Sequence, residues 1–170
     1  MPLTFFRNSD IVVVKKYCEG KEKMNRETVK QNALTYCKLR YAQYSMYESY
    51  AKKFGTSYKS LYVLRQIYAN PDGITQIEIC QDSSCITKQT VSAVIKRFIE
   101  KNYVYVEEMS SDRRNKLVRL TDDGLAYAEK ILQPVIDAEQ ISMECFDENE
   151  QKLFIKMCTE YAENLKSAIG

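Results

Sequence analysis

The chain contains no histidine and only five glycines. Without imidazole, the usual general base near neutral pH is missing, and so is the commonest nitrogen ligand for zinc. So few glycines leave no phosphate-cradling loop, and no Gly-x-Ser-x-Gly elbow occurs. No apolar run reaches the roughly 18 residues that would read as a membrane span. The six cysteines, at positions 18, 37, 80, 85, 145 and 158, include no Cys-x-x-Cys pair. That pattern argues against a zinc site and against the disulfide framework of a secreted domain. The N-terminal run "IVVV" is too short for a signal peptide and is closely followed by charge. Neither a cofactor nor a metal is expected, the enzyme classes recede, and the cytoplasm is the expected location.

What is present can build a core. With 170 residues and 45% hydrophobic content, the chain suffices for one domain of ordinary size, or for a small domain with a dimerisation extension. The net charge of +2 says little by itself, but its distribution is uneven. Residues 85–120 hold eight basic and four acidic side chains, whereas residues 121–163 hold three and eleven. A basic block is followed directly by an acidic one.

Residues 1–23 show no clean amphipathic period and are read as an N-terminal extension. The "EGKEK" just before Met24 is what a purine-rich ribosome-binding site encodes when translated in frame, which makes Met24 a candidate native start. From Asn25, a plausible N-cap, a long helix is expected to about Phe54, with Leu34, Cys37, Tyr41, Tyr44, Tyr47, Ala51 and Phe54 at steps of three or four. Tyr36 and Tyr50 widen its apolar surface beyond one face, as a helix with two partners requires. Ser57 opens a second helix that ends at "NPDG", Asn70 to Gly73.

The next segment is the most regular. Thr75 and Glu78 have the spacing of a capping box for a short helix reaching about Gln81. After the polar turn "DSS", Thr87 can cap "KQTVSAVIKRFIEKN", which Asn102 can close in the left-handed conformation. Two short helices joined by a short turn are a helix-turn-helix. On the helical wheel, Val91, Val94, Ile95 and Phe98 form the core face of the second helix. Opposite lie Gln89, Ser92, Ala93, Lys96 and Glu100, with Lys88 at the start and Arg97 on the flank. That outward face suits a major groove: Gln89 can pair with adenine, Ala93 permits close approach, and Lys88 and Lys96 can neutralise phosphates. Thr87 and Thr90 complete the candidate reading surface.

"YVYVEE" (Tyr103 to Glu108) and "KLVRL" (Lys116 to Leu120) read as two strands of a hairpin. Arg113, Arg114 and Lys116 then fall at or beside its tip, more cationic charge than a turn needs. A hairpin beside a groove-reading helix can reach the neighbouring backbone or the minor groove, where narrow A·T-rich segments attract arginine.

At this point a family resemblance emerges. The segment from Ile74 to Gly124 resembles the winged helix-turn-helix of the MarR family, whose wing carries Asp-x-Arg, an apolar strand, then Leu-Thr-x-x-Gly. Asp112, Arg114, Leu120, Thr121 and Gly124 match position by position, and "TKQTVSAVIKRFIEKNYV" fits the recognition helix. The turn "QDSSCI" departs from the pattern in being a residue longer and lacking its glycine. The resemblance implies that Arg114 enters the minor groove, that Asp112 orients it through an ion pair, and that Arg113 and Lys116 contact phosphates.

Thr121 can cap the next helix, in which Pro134 is expected to cause a bend or break. Asp147 and Glu150 repeat the capping-box spacing before a last helix through Leu153, Phe154, Met157, Cys158 and Tyr161. No large sheet is available to cover the apolar faces of the first helix and these last two, so a second copy is the expected partner, as in MarR-like dimers. The expected fold is mainly α with a small β-hairpin wing: a winged helix-turn-helix over 57–121, flanked by dimerisation helices over 24–56 and 122–170. The expected function is a dimeric transcriptional regulator, more specifically a repressor, on pseudo-palindromic duplex DNA with half-sites about 10 base pairs apart.

Tyr36, Tyr41, Tyr44 and Tyr47 are a candidate pocket for a small aromatic effector, set against the commoner role of such tyrosines in packing. Cys37 with Tyr41 one turn later is similar to the peroxide-sensing branch of the same family, although the flanking residues differ. That makes a thiol-based sensor an alternative. A winged-helix module that binds an acidic protein is the rival outside DNA recognition.

Overall fold

The computed structural model describes residues 25–81, 86–109 and 112–169. For Met109 and residues 112–115 the description covers the backbone alone. The chain folds into helices α1 (Arg26–Lys53), α2 (Tyr58–Tyr68), α3 (Gln76–Gln81), α4 (Lys88–Glu100), α5 (Asp122–Glu144) and α6 (Glu148–Ile169). With them come strands β1 (Ile74–Thr75), β2 (Val104–Met109) and β3 (Asp112–Leu120). Mainly helical architecture with a small antiparallel sheet is therefore the observed class.

Two compact units divide the chain, and the larger spans Thr35–Ala138. Its core is built by helical stripes meeting one face of the sheet. Leu64 and Ile67 from α2, Ile79 from α3, Val91, Val94 and Ile95 from α4, Val104 and Val118 from the sheet, and Ile131 and Leu132 from α5 are all buried. Each such side chain withdrawn from water stabilises the fold by roughly 1.5–3 kcal/mol before the entropy of ordering is counted.

The sheet has the order β1-β3-β2, one strand more than the expected hairpin. Ile74 pairs with Val118 and Thr75 with Leu117. A two-residue strand has no period for sequence reasoning to detect. Between β2 and β3, Val104 pairs with Leu120 and Glu108 with Lys116, and the register then jumps so that Met109 faces Asp112. Arg113 and Arg114 thus lie on strand backbone within this irregularity, not on a free loop. The turn at 82–85, whose length departs from the MarR pattern, lies outside the described residues, as do positions 1–24.

Helix ends follow local chemistry. Ser57 accepts from the Ser60 N–H at 3.3 Å. Asn102 closes α4 at φ 57°, with its N–H donating to Ile99 O at 2.9 Å and the Tyr103 N–H to Phe98 O at 2.8 Å. That left-handed pair of bonds satisfies the carbonyls a helix end leaves free. Thr121 ties the next helix to this point: its hydroxyl donates to Asn102 O at 2.6 Å and accepts from the Gly124 N–H at 2.9 Å. A Cβ at Gly124 would overlap the Tyr103 carbonyl, so the glycine permits the close approach of α5 to the start of the wing. Helix α5 continues through Pro134 without interruption. The flanking Ile131, Leu132 and Val135 are buried and hold the turn in which proline removes one backbone donor.

The second unit comprises the described residues up to Leu34 and those from Glu139 onward. Asp147 and Glu150 form the expected capping box, with the Asp147 N–H donating to Glu150 Oε2 at 2.9 Å and the Glu150 N–H to Asp147 Oδ1 at 3.0 Å. Phe146 stacks on Phe154 with ring centroids 6.0 Å apart. Beyond these contacts, α6 buries none of its residues. No helix among the described residues is long and apolar enough to cross a membrane.

Candidate nucleic-acid interface

Helix α4 begins where its sequence says it should. Thr87, extended at φ −76° and ψ 153°, accepts from the Thr90 N–H at 3.2 Å, and the two hydroxyls lie 3.0 Å apart. Val91, Val94, Ile95 and Phe98 all turn inward, at 6% exposure or less. Burial of that stripe fixes the rotation of the helix, and rotation alone then presents Lys88, Gln89, Ser92, Ala93, Lys96 and Arg97 to solvent.

Five of those six share one open groove of about 680 Å³, lined by Lys88, Gln89, Ser92, Ala93 and Lys96 and joined by Lys116 from β3. Thr75, Gln76 and Ile77 form its other wall. Among the described residues its lining holds three lysines and no carboxylate, so the groove offers an anion an open, positively charged surface with hydrogen-bonding groups among its lining. Thr87, Thr90 and Arg97 are not part of this lining; the two threonines hold the helix start. The side chains of Asp112, Arg113 and Arg114 lie outside the described residues. Lys116 is poised 3.6 Å from Glu108 across the strand pair. Arg119 on the same strand is 3.0 Å from Glu107.

Sequence reasoning missed the opposite wall, although a signal existed. In "TQIEIC", Ile79 is fully buried, and Ile77, two positions earlier, falls about 200° away on the helical wheel. An apolar residue opposite the core face needs its own explanation. Its position is well held: the Thr75 N–H and hydroxyl both donate to Glu78 Oε2 at 2.8 Å, and the Glu78 N–H donates to Thr75 Oγ1 at 3.2 Å. These bonds to the ionised form hold the Glu78 carboxyl below its ordinary pKa, the Thr75 backbone bond contributing most.

The tyrosine cluster on α1 divides in two. Tyr41 and Tyr44 line a cavity of about 380 Å³ with Cys37 and Arg40, and Arg40 is a residue the sequence reading did not single out. Tyr47 turns away to pack on Tyr58 at 5.4 Å between centroids; Tyr36 is half-buried and does not line the cavity. Tyr50 is structural: its hydroxyl donates to Ile131 O at 3.0 Å, and burial pushes its phenol upward. Among the described residues, no group of three or more His, Cys, Asp or Glu side chains is placed to hold a metal.

Comparison with known proteins completes the description. Residues 54–115 match the family model MarR_2, of the MarR family. Among solved structures, AbsC, a MarR family transcriptional regulator from Streptomyces coelicolor, is similar at a TM-score of 0.69 and 19% identity, over 85% of this chain and 99% of AbsC. MepR of S. aureus in its DNA-binding conformation gives 0.68 and 20%, over 79% of this chain and 98% of MepR. The S. aureus MepR–DNA complex gives 0.64 and 21%, over 79% and 97%. At these identities the likeness is one of fold. No curated protein matches the chain in sequence.

Proposed function

Since the chain belongs to the MarR family through residues 54–115, we propose that it is a dimeric, sequence-specific repressor that reads pseudo-palindromic duplex DNA. One observation carries this reading: Lys88, Gln89, Ser92, Ala93 and Lys96 of a capped, core-locked helix share a groove with Lys116 of the wing, and lysines are the charged side chains among its described lining. In the major groove, Gln89 pairs with an adenine edge and Ser92 with a base or phosphate, while the lysines neutralise the strand that passes between helix and wing. Arg114, oriented by Asp112, reaches the adjacent minor groove, and Arg113 adds a phosphate contact.

The helices over 24–56 and 122–170 serve dimerisation in this reading. Support comes from their exposed apolar side chains, among them Leu39, Met46, Ile141, Leu153 and Met157, each more than half exposed. So many large apolar groups left to water mark a surface for association. A small aromatic effector held by Tyr41, Tyr44 and Arg40 changes operator affinity only to the extent that it binds the DNA-competent and DNA-incompetent states differently.

Selection of purified, reduced protein on random duplexes, followed by fluorescence anisotropy across a salt series, tests the proposal. An enriched inverted repeat is expected. With Lys88, Lys96 and Lys116 from two subunits on phosphates, the slope of log K against log salt should reach roughly −5 from these residues alone. No enrichment and no binding at low salt would transfer the basic face to an acidic protein partner.

A further inference from the structure

The groove pairs a polar, basic wall with an apolar residue that neither the core nor the charge pattern requires. Ile77 is 45% exposed and faces into the groove lined by Gln89, Ser92 and Ala93. Its backbone is immobilised on both sides. Thr75 and Glu78 close the capping box around it, and Thr75 is pinned to Leu117 of β3 by strand pairing.

An exposed, rigidly held isoleucine that shares a groove with an alanine is a surface for a methyl group. In duplex DNA one base displays such a group on the major-groove edge: thymine, through its C5-methyl. We infer that Ile77, which lines the groove together with Ala93, is a specificity-determining residue that reads a thymine methyl in each half-site beside the base read by Gln89. This rests on the DNA-binding reading above. Water expelled from between the isoleucine and the methyl supplies the preference, so uracil at the same position is disfavoured without any hydrogen bond being lost.

The test replaces each thymine of the selected site, one at a time, by deoxyuridine, and measures affinity by anisotropy for wild type, Ile77→Ala and Ile77→Val. For the wild type, one position per half-site should weaken binding about fourfold, the worth of a single buried methyl group. Ile77→Val, which keeps two methyls at that height, should retain most of the preference. Ile77→Ala should bind thymine and uracil sites equally, while its helical circular dichroism and its salt slope stay those of wild type. The inference is overturned if no deoxyuridine substitution weakens wild-type binding, or if Ile77→Ala discriminates as well as wild type. Failure of the DNA reading itself looks different: no duplex is bound at any salt concentration, by any of the three proteins.

Discussion

Helices α4 and α6 carry the same kind of sequence and meet opposite fates. Both are amphipathic, and both open on a side-chain cap, Thr87 in one and the Asp147–Glu150 box in the other. Yet α4 buries Val91, Val94, Ile95 and Phe98, whereas α6 buries nothing and leaves Leu153, Phe154, Ile155 and Met157 about half exposed or more. A helical period states that a face must be covered. It does not state by what. For α4 the cover lies within its own chain, in α2, α3 and the sheet; for α6 it is the proposed second copy.

Substitutions on the two helices break this comparison in different ways. The largest effect is expected for Ile95→Ala, which leaves a cavity in a close-packed core and should cost about 3 kcal/mol of unfolding free energy, measured by urea denaturation and independent of protein concentration. Leu153→Asp with Phe154→Asp should leave the winged unit folded but split the dimer, visible by sedimentation. Operator affinity should fall about a hundredfold as the second half-site ceases to be tethered. A monomer with undiminished affinity would refute the assignment of α6.

The functional face of α4 sharpens the contrast further. Lys96→Ala should lower the steepness of the salt dependence by about 1 per subunit with little change in which base is preferred; unequal losses across operator variants would instead make Lys96 a base reader. Glu108→Gln removes the carboxylate 3.6 Å from Lys116 and should tighten DNA binding by about twofold, since exposed ion pairs are worth only a few tenths to about 1 kcal/mol. Weaker binding would mean that Glu108 aims the lysine.

The smallest effect concerns acid. Glu78 has a folded pKa below its unfolded one because Thr75 bonds its ionised form. Its contribution is therefore complete above the ordinary glutamate pKa and disappears as pH falls through the lowered value. The stability difference between wild type and Glu78→Gln, measured by thermal melting across that window, should shrink toward zero as acid is added.

Much of this was legible because it is local. Thr75 with Glu78, Thr87, Asn102, Thr121, and Asp147 with Glu150 each state a helix boundary through bonds that span no more than five residues, and the boundaries they mark lie within about two residues of those expected, while the break expected at Pro134 does not occur. The rotation of α4 was legible too, since the 3.6-residue period places Val94 and Ile95 on one side and Gln89 and Lys96 on the other. β1 was not, because two residues carry no periodicity, and its pairing with Val118 and Leu117 is contributed by a strand more than forty positions away. Nor was the division of the tyrosines. Spacing on α1 places Tyr41, Tyr44 and Tyr47 on one broad face, and only the arrival of Tyr58 from α2 draws Tyr47 and Tyr44 into ring contacts and leaves Tyr41 beside Arg40.

The sequence by itself determined where the helices begin, which face of each seeks cover, and that a basic, small-residue surface follows a helix-turn-helix; these depend on neighbours within a turn or two, whereas the passage of α5 through Pro134 was decided by the packing around it. Tertiary structure alone decided that Ile77 joins Gln89, Ala93 and Lys116 in one groove. Those four residues come from three elements spread over some forty positions, and no local bond records their approach. Core burial does: once Ile79, Ile95 and Val118 withdraw from water together, the outward faces of their elements have only one arrangement left.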